Sequence, residues 1–240
     1  MVTITSLATD ERAARIAVAA VLEPDDAVTG RLLAAVGAVE TVRLAAGTGA
    51  LPKAVDPVEG ELWRTKVAPR TAAVAAVGRA QEDTGRLGFR VIVPGDDDWP
   101  VALNDLRERA PYALWARGTT TFLPAPLHDR VTITGMRAAT GYGEHVANEL
   151  TMELAEAERI IVSGGSYGIE AAAHRAALAA DGHTMAVLPG GLDRLYPAGH
   201  RELLERIADR GLLVSELAPG AAPTKWRLLA RNRILAALSG

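Results

Sequence analysis

The spacing of apolar positions along the chain changes near residue 89. Before it, Ile16, Val18, Val21 and Leu22 recur among alanines over 10–22, and two similar stretches follow over 27–36 and 38–46. This spacing predicts three short helices. Glu23-Pro24-Asp25-Asp26 ends the first, Gly37 fits the C-cap of the second, and Gly47-Thr48-Gly49 stops the third. One more helix is expected over 69–87. After residue 89 the runs are short and β-rich. Residues 89–93 and 112–116 read as strands, separated by the turn Asp96-Asp97-Asp98-Trp99-Pro100 and a short helix over 101–106. Residues 119–129, with two prolines, read as a connector.

From residue 130 the chain alternates. Strands are expected over 131–134, 160–163, 184–188 and 212–214, and helices over 143–158, 169–180, 199–210 and 225–238. Four such β-α units predict an α/β fold with a parallel sheet covered on both faces. The domain reading is a helical domain over 1–65, a connector helix with extension strands over 66–129, and a sheet core over 130–240.

Composition narrows the function. Of 240 residues, 49% are hydrophobic and only 4% aromatic, so the core should be large and aliphatic. The net charge is −3, so nucleic-acid binding would need a local basic patch rather than a global field. Cysteine is absent, which excludes disulfides and thiolate chemistry. The five histidines, at 128, 145, 174, 183 and 200, lack zinc-type spacing. The amino-terminal residues lack a basic stretch followed by a long apolar one, and no apolar run approaches the roughly 18–20 residues of a membrane span. A cytoplasmic protein is expected.

Three glycine-rich turns follow strands of the alternating region, where open α/β sheets bind ligands. In the first, Gly135-Met136-Arg137, the cation stands where a helix begins and can clamp a phosphate. The plainer reading is an ordinary loop with a solvated Arg. The second, Ser163-Gly164-Gly165-Ser166-Tyr167-Gly168, resembles a phosphate cradle, but it is neither a Walker A motif nor a G-x-G-x-x-G. Glu170 and His174 follow it on one helical face, a pair read as structural more readily than catalytic. In the third, 189–197, Asp193 can cap the turn and Tyr196 can stack on a base or pack. Finally, residues 225–240 hold Lys225, Arg227, Arg231 and Arg233 and no acidic residue. With Trp226 inside it, this segment suits phosphate neutralisation plus stacking. A solvated basic helix end is the alternative.

Taken together, Gly135-Met136-Arg137, Ser163 to His174, Gly190 to Pro197, Ser215-Glu216 and Arg231 to Ser239 resemble, in order and spacing, the motifs of the DNA-processing protein A (DprA) family. Asp98-Trp99-Pro100 with Leu103, and Pro111 through Gly118, add to the likeness. The resemblance implies a small SAM-like helical domain before an extended Rossmann-like domain. It also implies binding and protection of single-stranded DNA, and loading of a RecA-type recombinase during natural transformation. No cofactor and no catalysis are implied. Family members are usually homodimers, and the pairing of this chain stays open.

Carried across, Arg137 is the principal DNA contact. Ser163, Gly164, Gly165 and Gly168 form a phosphate-facing turn, while Lys225, Arg231, Asn232 and Arg233 line the pocket. Tyr167 stands where many members have Lys or Arg, and a stacking contact can replace the lost cation. Glu170 replaces the usual Asp, and Ser166 the usual Ala. The family normally continues with further strands beyond the point matching Ser239-Gly240. The expectation is therefore an incomplete sheet that exposes Leu228, Leu229, Ile234, Leu235 and Leu238, lowering stability and promoting self-association.

Three other readings carry less. A nucleoside-monophosphate phosphoribohydrolase of the lysine-decarboxylase-like group shares Pro189-Gly190-Gly191 but needs a Gly-Thr and a Glu that do not follow here. A dinucleotide oxidoreductase would meet Arg137 where the pyrophosphate must approach. A degenerate family member that only binds partner proteins is the third.

Overall fold

The computed structural model describes residues 2–240. Five helices, α1 (Ile4–Leu7), α2 (Glu11–Val21), α3 (Ala27–Ala45), α4 (Pro57–Thr71) and α5 (Val74–Arg86), form an amino-terminal bundle. Asp10, Asp26 and Asp56 cap α2, α3 and α4 by accepting backbone N–H groups. Gly37, at φ 77°, breaks α3 where the two sequence-predicted helices meet. Two expectations need correction. The helix expected over 69–87 is the separate α5, and α4 precedes it. Its start is marked by the capping Asp56 followed by Pro57 at the first helical position. Residue 65 lies inside α4, so the boundary placed there divides a helix, and the bundle runs to Arg86.

A single six-stranded sheet follows, made of β1 (Arg90–Ile92), β2 (Leu114–Gly118), β3 (Arg130–Thr132), β4 (Ile160–Gly164), β5 (Thr184–Val187) and β6 (Leu212–Ser215). Its order is β1-β2-β6-β5-β4-β3. β3 to β6 are parallel neighbours, in register at Val131 with Ile161, Val162 with Met185, and Ala186 with Leu213. This is the arrangement the alternating pattern predicts. β2 joins β6 antiparallel, and β1 joins β2 antiparallel. Helices α6 (Gly141–Glu156), α7 (Ile169–Ala179) and α8 (Arg201–Arg210) connect the parallel strands. The chain closes with α9 (Lys225–Ala230) and α10 (Asn232–Ala237), two helices meeting at Arg231 rather than one continuous helix. No helix among the described residues is long and apolar enough to cross a membrane.

Burial runs on both sheet faces. On one, Trp115, Ala186, Leu188, Leu204, Ile207 and Leu213 join the bundle in a single core through Phe89, Val77 and Val18. Trp115 is fully buried, and its indole Nε1 donates to Thr84 Oγ1 of α5 at 2.9 Å, fastening β2 to the bundle. On the other face, Ile92, Leu103, Leu114, Val162, Met185, Val187 and Val214 pack with Ile234, Leu235 and Leu238. The expectation that the final helix stays uncovered is thus overturned for these three residues. The extension strands and the 101–109 segment supply the cover that the sequence reading assigned to absent strands. Leu228 is half-buried, and Leu229 alone of the five remains exposed.

Leu238 is fully buried beside the sheet. Leu238→Ala should therefore cost about 2–5 kcal/mol in urea unfolding. A near-neutral result would place α10 outside the folded core.

Candidate nucleic-acid interface

The carboxyl ends of β3 and β4 face α9 and α10 across a hollow of about 160 Å³, lined by Thr134, Gly135, Arg137, Ser166, Glu170, Leu228, Leu229, Arg231 and Asn232. Two sequence-distant motifs meet here. Arg231 is buried, and its Nη2 donates to Glu170 Oε1 at 3.1 Å and its Nη1 to Val187 O at 3.2 Å. The same carboxylate accepts from Ser166 N at 2.8 Å and from Thr134 Oγ1 at 3.2 Å. Glu170 therefore ties the β3 and β4 connections to α10. Burial by itself raises its pKa, but the charge of Arg231 and the Ser166 N–H outweigh that and hold Glu170 below the usual carboxylate range.

The glycines serve this packing. A Cβ on Gly164 would lie 1.7 Å from Arg231 Nη1, so only Gly lets the guanidinium rest on the strand. Gly168, at φ 73°, would meet Met136 O at 2.3 Å and Arg137 O at 2.5 Å. Its missing side chain lets the second turn press on the backbone that carries Arg137. Ser163 is fully buried and donates its hydroxyl to Ile133 O at 2.5 Å. Gly165 packs against Leu188 and Leu204. Of the turn expected to face phosphate, Ser163, Gly164 and Gly165 are therefore buried and Gly168 half-buried, and the one backbone N–H of this turn that Glu170 engages is that of Ser166. Ser166, noted from sequence only as a departure from the usual Ala, is the member of this turn that reaches the hollow, with its N–H engaged by Glu170.

The cations divide sharply. Arg137 is exposed, lines the hollow and makes no ion pair with any described residue. Asn232 is exposed beside it, and its Oδ1 accepts from Arg231 at 3.2 Å. Lys225 is exposed and unpaired among the described residues but lies outside the hollow lining. Arg233 points elsewhere. It binds both Glu216 oxygens, at 2.7 and 2.5 Å, and approaches Asp25 Oδ1 at 3.4 Å. It lines a separate hollow of about 500 Å³ with Trp226 and Arg109. Arg233 and Arg231, two residues apart on helical backbone, face different neighbours, so the expectation that both offer charge to one pocket is corrected. Arg227 pairs with Glu23 of the bundle at 3.0 Å. Thus three of the four basic residues of the acid-free segment are neutralised by glutamates from elsewhere in the fold. Tyr167 is exposed and lies edge-on to His200, ring centroids 4.3 Å apart.

His174 is fully buried between Thr184 Oγ1 at 2.7 Å and Gly164 O at 2.9 Å. Burial pushes its pKa down to about 4, so it is neutral, with Nε2–H donating to the carbonyl and Nδ1 accepting from Thr184. It is a strand-to-helix strut. No group of three His, Cys, Asp or Glu side chains among the described residues is placed to hold a metal ion.

These features define a Rossmann-like protein whose site is an open hollow at the strand ends with one free guanidinium at its rim. Residues 90–240 match the family model described as DNA recombination-mediator protein A. The chain is 42% identical over 236 residues to the putative DNA processing protein DprA of Mycobacterium tuberculosis, covering 91% of this chain and 56% of that one. It is 33% identical over 171 residues to the DNA processing protein DprA of Bacillus subtilis, covering 71% and 54%. The chain belongs to the DNA recombination-mediator protein A (DprA) family. It spans about half the length of these curated relatives. The crystal structure of DNA processing protein A from Streptococcus pneumoniae superposes with TM-score 0.67 at 26% identity, covering 99% of this chain and 76% of that one. A Helicobacter pylori DNA processing protein A, whose structure concerns a single-stranded DNA binding mode, superposes with TM-score 0.55 at 32% identity, covering 63% and 66%.

The His174 strut makes stability pH-dependent. Its folded pKa of about 4 lies below the ordinary 6.5, so the unfolded chain binds the extra proton between these values. Stability is full above pH 6.5 and falls by on the order of 3 kcal/mol as pH drops towards 4. Urea midpoints at pH 7.5 and 4.5 should diverge in wild type, and much less in His174→Gln. Equal divergence in both would remove His174 as the cause.

Proposed function

We propose that this chain binds single-stranded DNA at the carboxyl edge of its sheet, with Arg137 as the leading phosphate contact, Asn232 beside it, and Lys225 adding charge nearby. One observation carries the reading: Arg137 is held at the hollow's rim by turns packed tightly beneath it, yet no carboxylate among the described residues pairs with it. The family membership and the single-stranded DNA binding of the Helicobacter pylori relative support it. In this reading the role is a recombination mediator's, non-enzymatic and cytoplasmic, passing the strand to a RecA-type recombinase during DNA uptake, with a homodimer as the working form. Arg231 acts by holding the site together rather than by touching DNA.

Each phosphate neutralised contributes a slope of about −0.7 in log K against log salt on single strands. In anisotropy titrations with a labelled oligonucleotide, Arg137→Ala should weaken binding and flatten that slope by about 0.7. Arg233→Ala should leave the slope unchanged. It should instead lose about 3–5 kcal/mol of stability, because the buried Glu216 is left without its partner, whereas Asp25 keeps Arg109. An unaltered slope in Arg137→Ala would remove that residue from the interface.

A further inference from the structure

The chain has ten aromatic side chains of the Phe, Trp and Tyr types, four Tyr, four Trp and two Phe. Six are buried or half-buried, and four of these anchor a polar tip: Trp63 on Thr29, Trp99 on Asn104, Trp115 on Thr84, and Tyr112 on Glu23 O. The other four, Tyr142, Tyr167, Tyr196 and Trp226, are exposed at 77%, 48%, 40% and 51%. None of these four makes a side-chain hydrogen bond to a described residue. Their placement is not scattered. Tyr142 opens α6 after β3, Tyr167 lies in the turn after β4, Tyr196 in the turn after β5, and Trp226 opens α9 after β6. Each connection at the carboxyl edge of the parallel sheet presents one exposed aromatic, and no exposed aromatic lies anywhere else among the described residues.

We infer that this set is a row of base-stacking platforms, one per parallel strand, for a single-stranded DNA laid across the strand ends. The inference rests on the single-strand reading above and adds the route of the strand and its contacts to bases. Three arguments carry it. Neighbouring strands lie about 4.7–4.9 Å apart, a little more than the roughly 3.4 Å advance per nucleotide in one strand of a duplex. An extended strand crossing the carboxyl edge therefore passes the four connections in the order β3, β4, β5, β6. Charge is also complementary: Arg137 follows β3, Lys225 adjoins Trp226, and Arg175, 3.5 Å from the His200 against which Tyr167 packs, has no ion pair among the described residues. Three carboxylates in the same connections are withdrawn, Glu170 by Arg231, Glu216 by Arg233 and Asp193 by Gly220 N, while Glu144 in the first turn of α6 and Glu202 in the first turn of α8 stay in solvent. Finally, aromatic faces stack on any base, which suits a protein that must take up strands regardless of sequence.

The test compares oligo-dT with an abasic deoxyribose-phosphate strand of equal length, using the full chain. Tyr142→Ala, Tyr167→Ala, Tyr196→Ala and Trp226→Ala should each weaken oligo-dT binding about 5- to 150-fold. Abasic-strand affinity and the salt slope should stay unchanged, and the Phe substitutions should restore most of the loss. Trp226 is the one exposed Trp of four, so oligo-dT should quench tryptophan fluorescence in wild type but not in Trp226→Phe. Ala variants that bind oligo-dT like wild type would overturn the assignment and leave the aromatic rim to a protein partner. Equal losses on the abasic strand would also overturn it, since stacking needs bases. A wild-type chain that binds neither strand would instead sink the single-strand reading itself, and the platforms with it.

Discussion

The ion pair between Glu170 and Arg231 organises the carboxyl edge of this protein. Both side chains are buried, so neither charge is stable there without the other, and removing one would leave an uncompensated charge inside the fold. The pair fixes much around it. Gly164 has to lack a side chain so that the guanidinium can lie on β4. Ser166 and Thr134 point their donors at the carboxylate, which brings the β3 and β4 connections together. Arg231 in turn holds α10 against the end of β5 through Val187 O. One N–H of the turn that resembles an anion cradle in the sequence, that of Ser166, is engaged by the protein's own carboxylate.

In a chain of net charge −3, internal pairing decides which cations stay free. Arg227, Arg231 and Arg233 are each matched by a glutamate from another part of the fold. They join the bundle, the sheet and the terminal helices, and contribute little field outside. Arg137 has no such match, and its position is set by backbone packing beneath it rather than by a partner for its charge. The packed backbone fixes where the side chain starts, and its guanidinium stands in solvent.

The two sheet faces are closed by different parts of the chain. The bundle covers one, fastened by Trp115 and its bond to Thr84. The second is covered by α10 together with the segment between β1 and β2. β2 pairs antiparallel with β6, so the extension strands continue the sheet on the side opposite β3. The carboxyl edge is left open between these layers, and the exposed aromatics are confined to it.

Much of this was legible in the sequence. The change of apolar period near residue 89, the four β-α units and the break at Gly37 are local patterns, and local patterns follow from backbone geometry that acts over a few residues. The ordered motifs pointed to the family, and Gly135-Met136-Arg137 to one wall of the hollow. The missed α4 was signalled by Asp56-Pro57 but carries too few apolar positions to show a helical face. What the sequence left undecided was the partner of each charge. Residues 225–240 contain no acid, yet Glu23, Glu170 and Glu216 reach them from outside the segment. Whether an arginine meets solvent or a carboxylate depends on which distant segments pack beside it. The cover over Ile234, Leu235 and Leu238 was undecided for the same reason. Sequence determined the elements and the chemistry available to each; tertiary packing decided which charges remain free, because burial and pairing are properties of contacts between elements, not of any one of them.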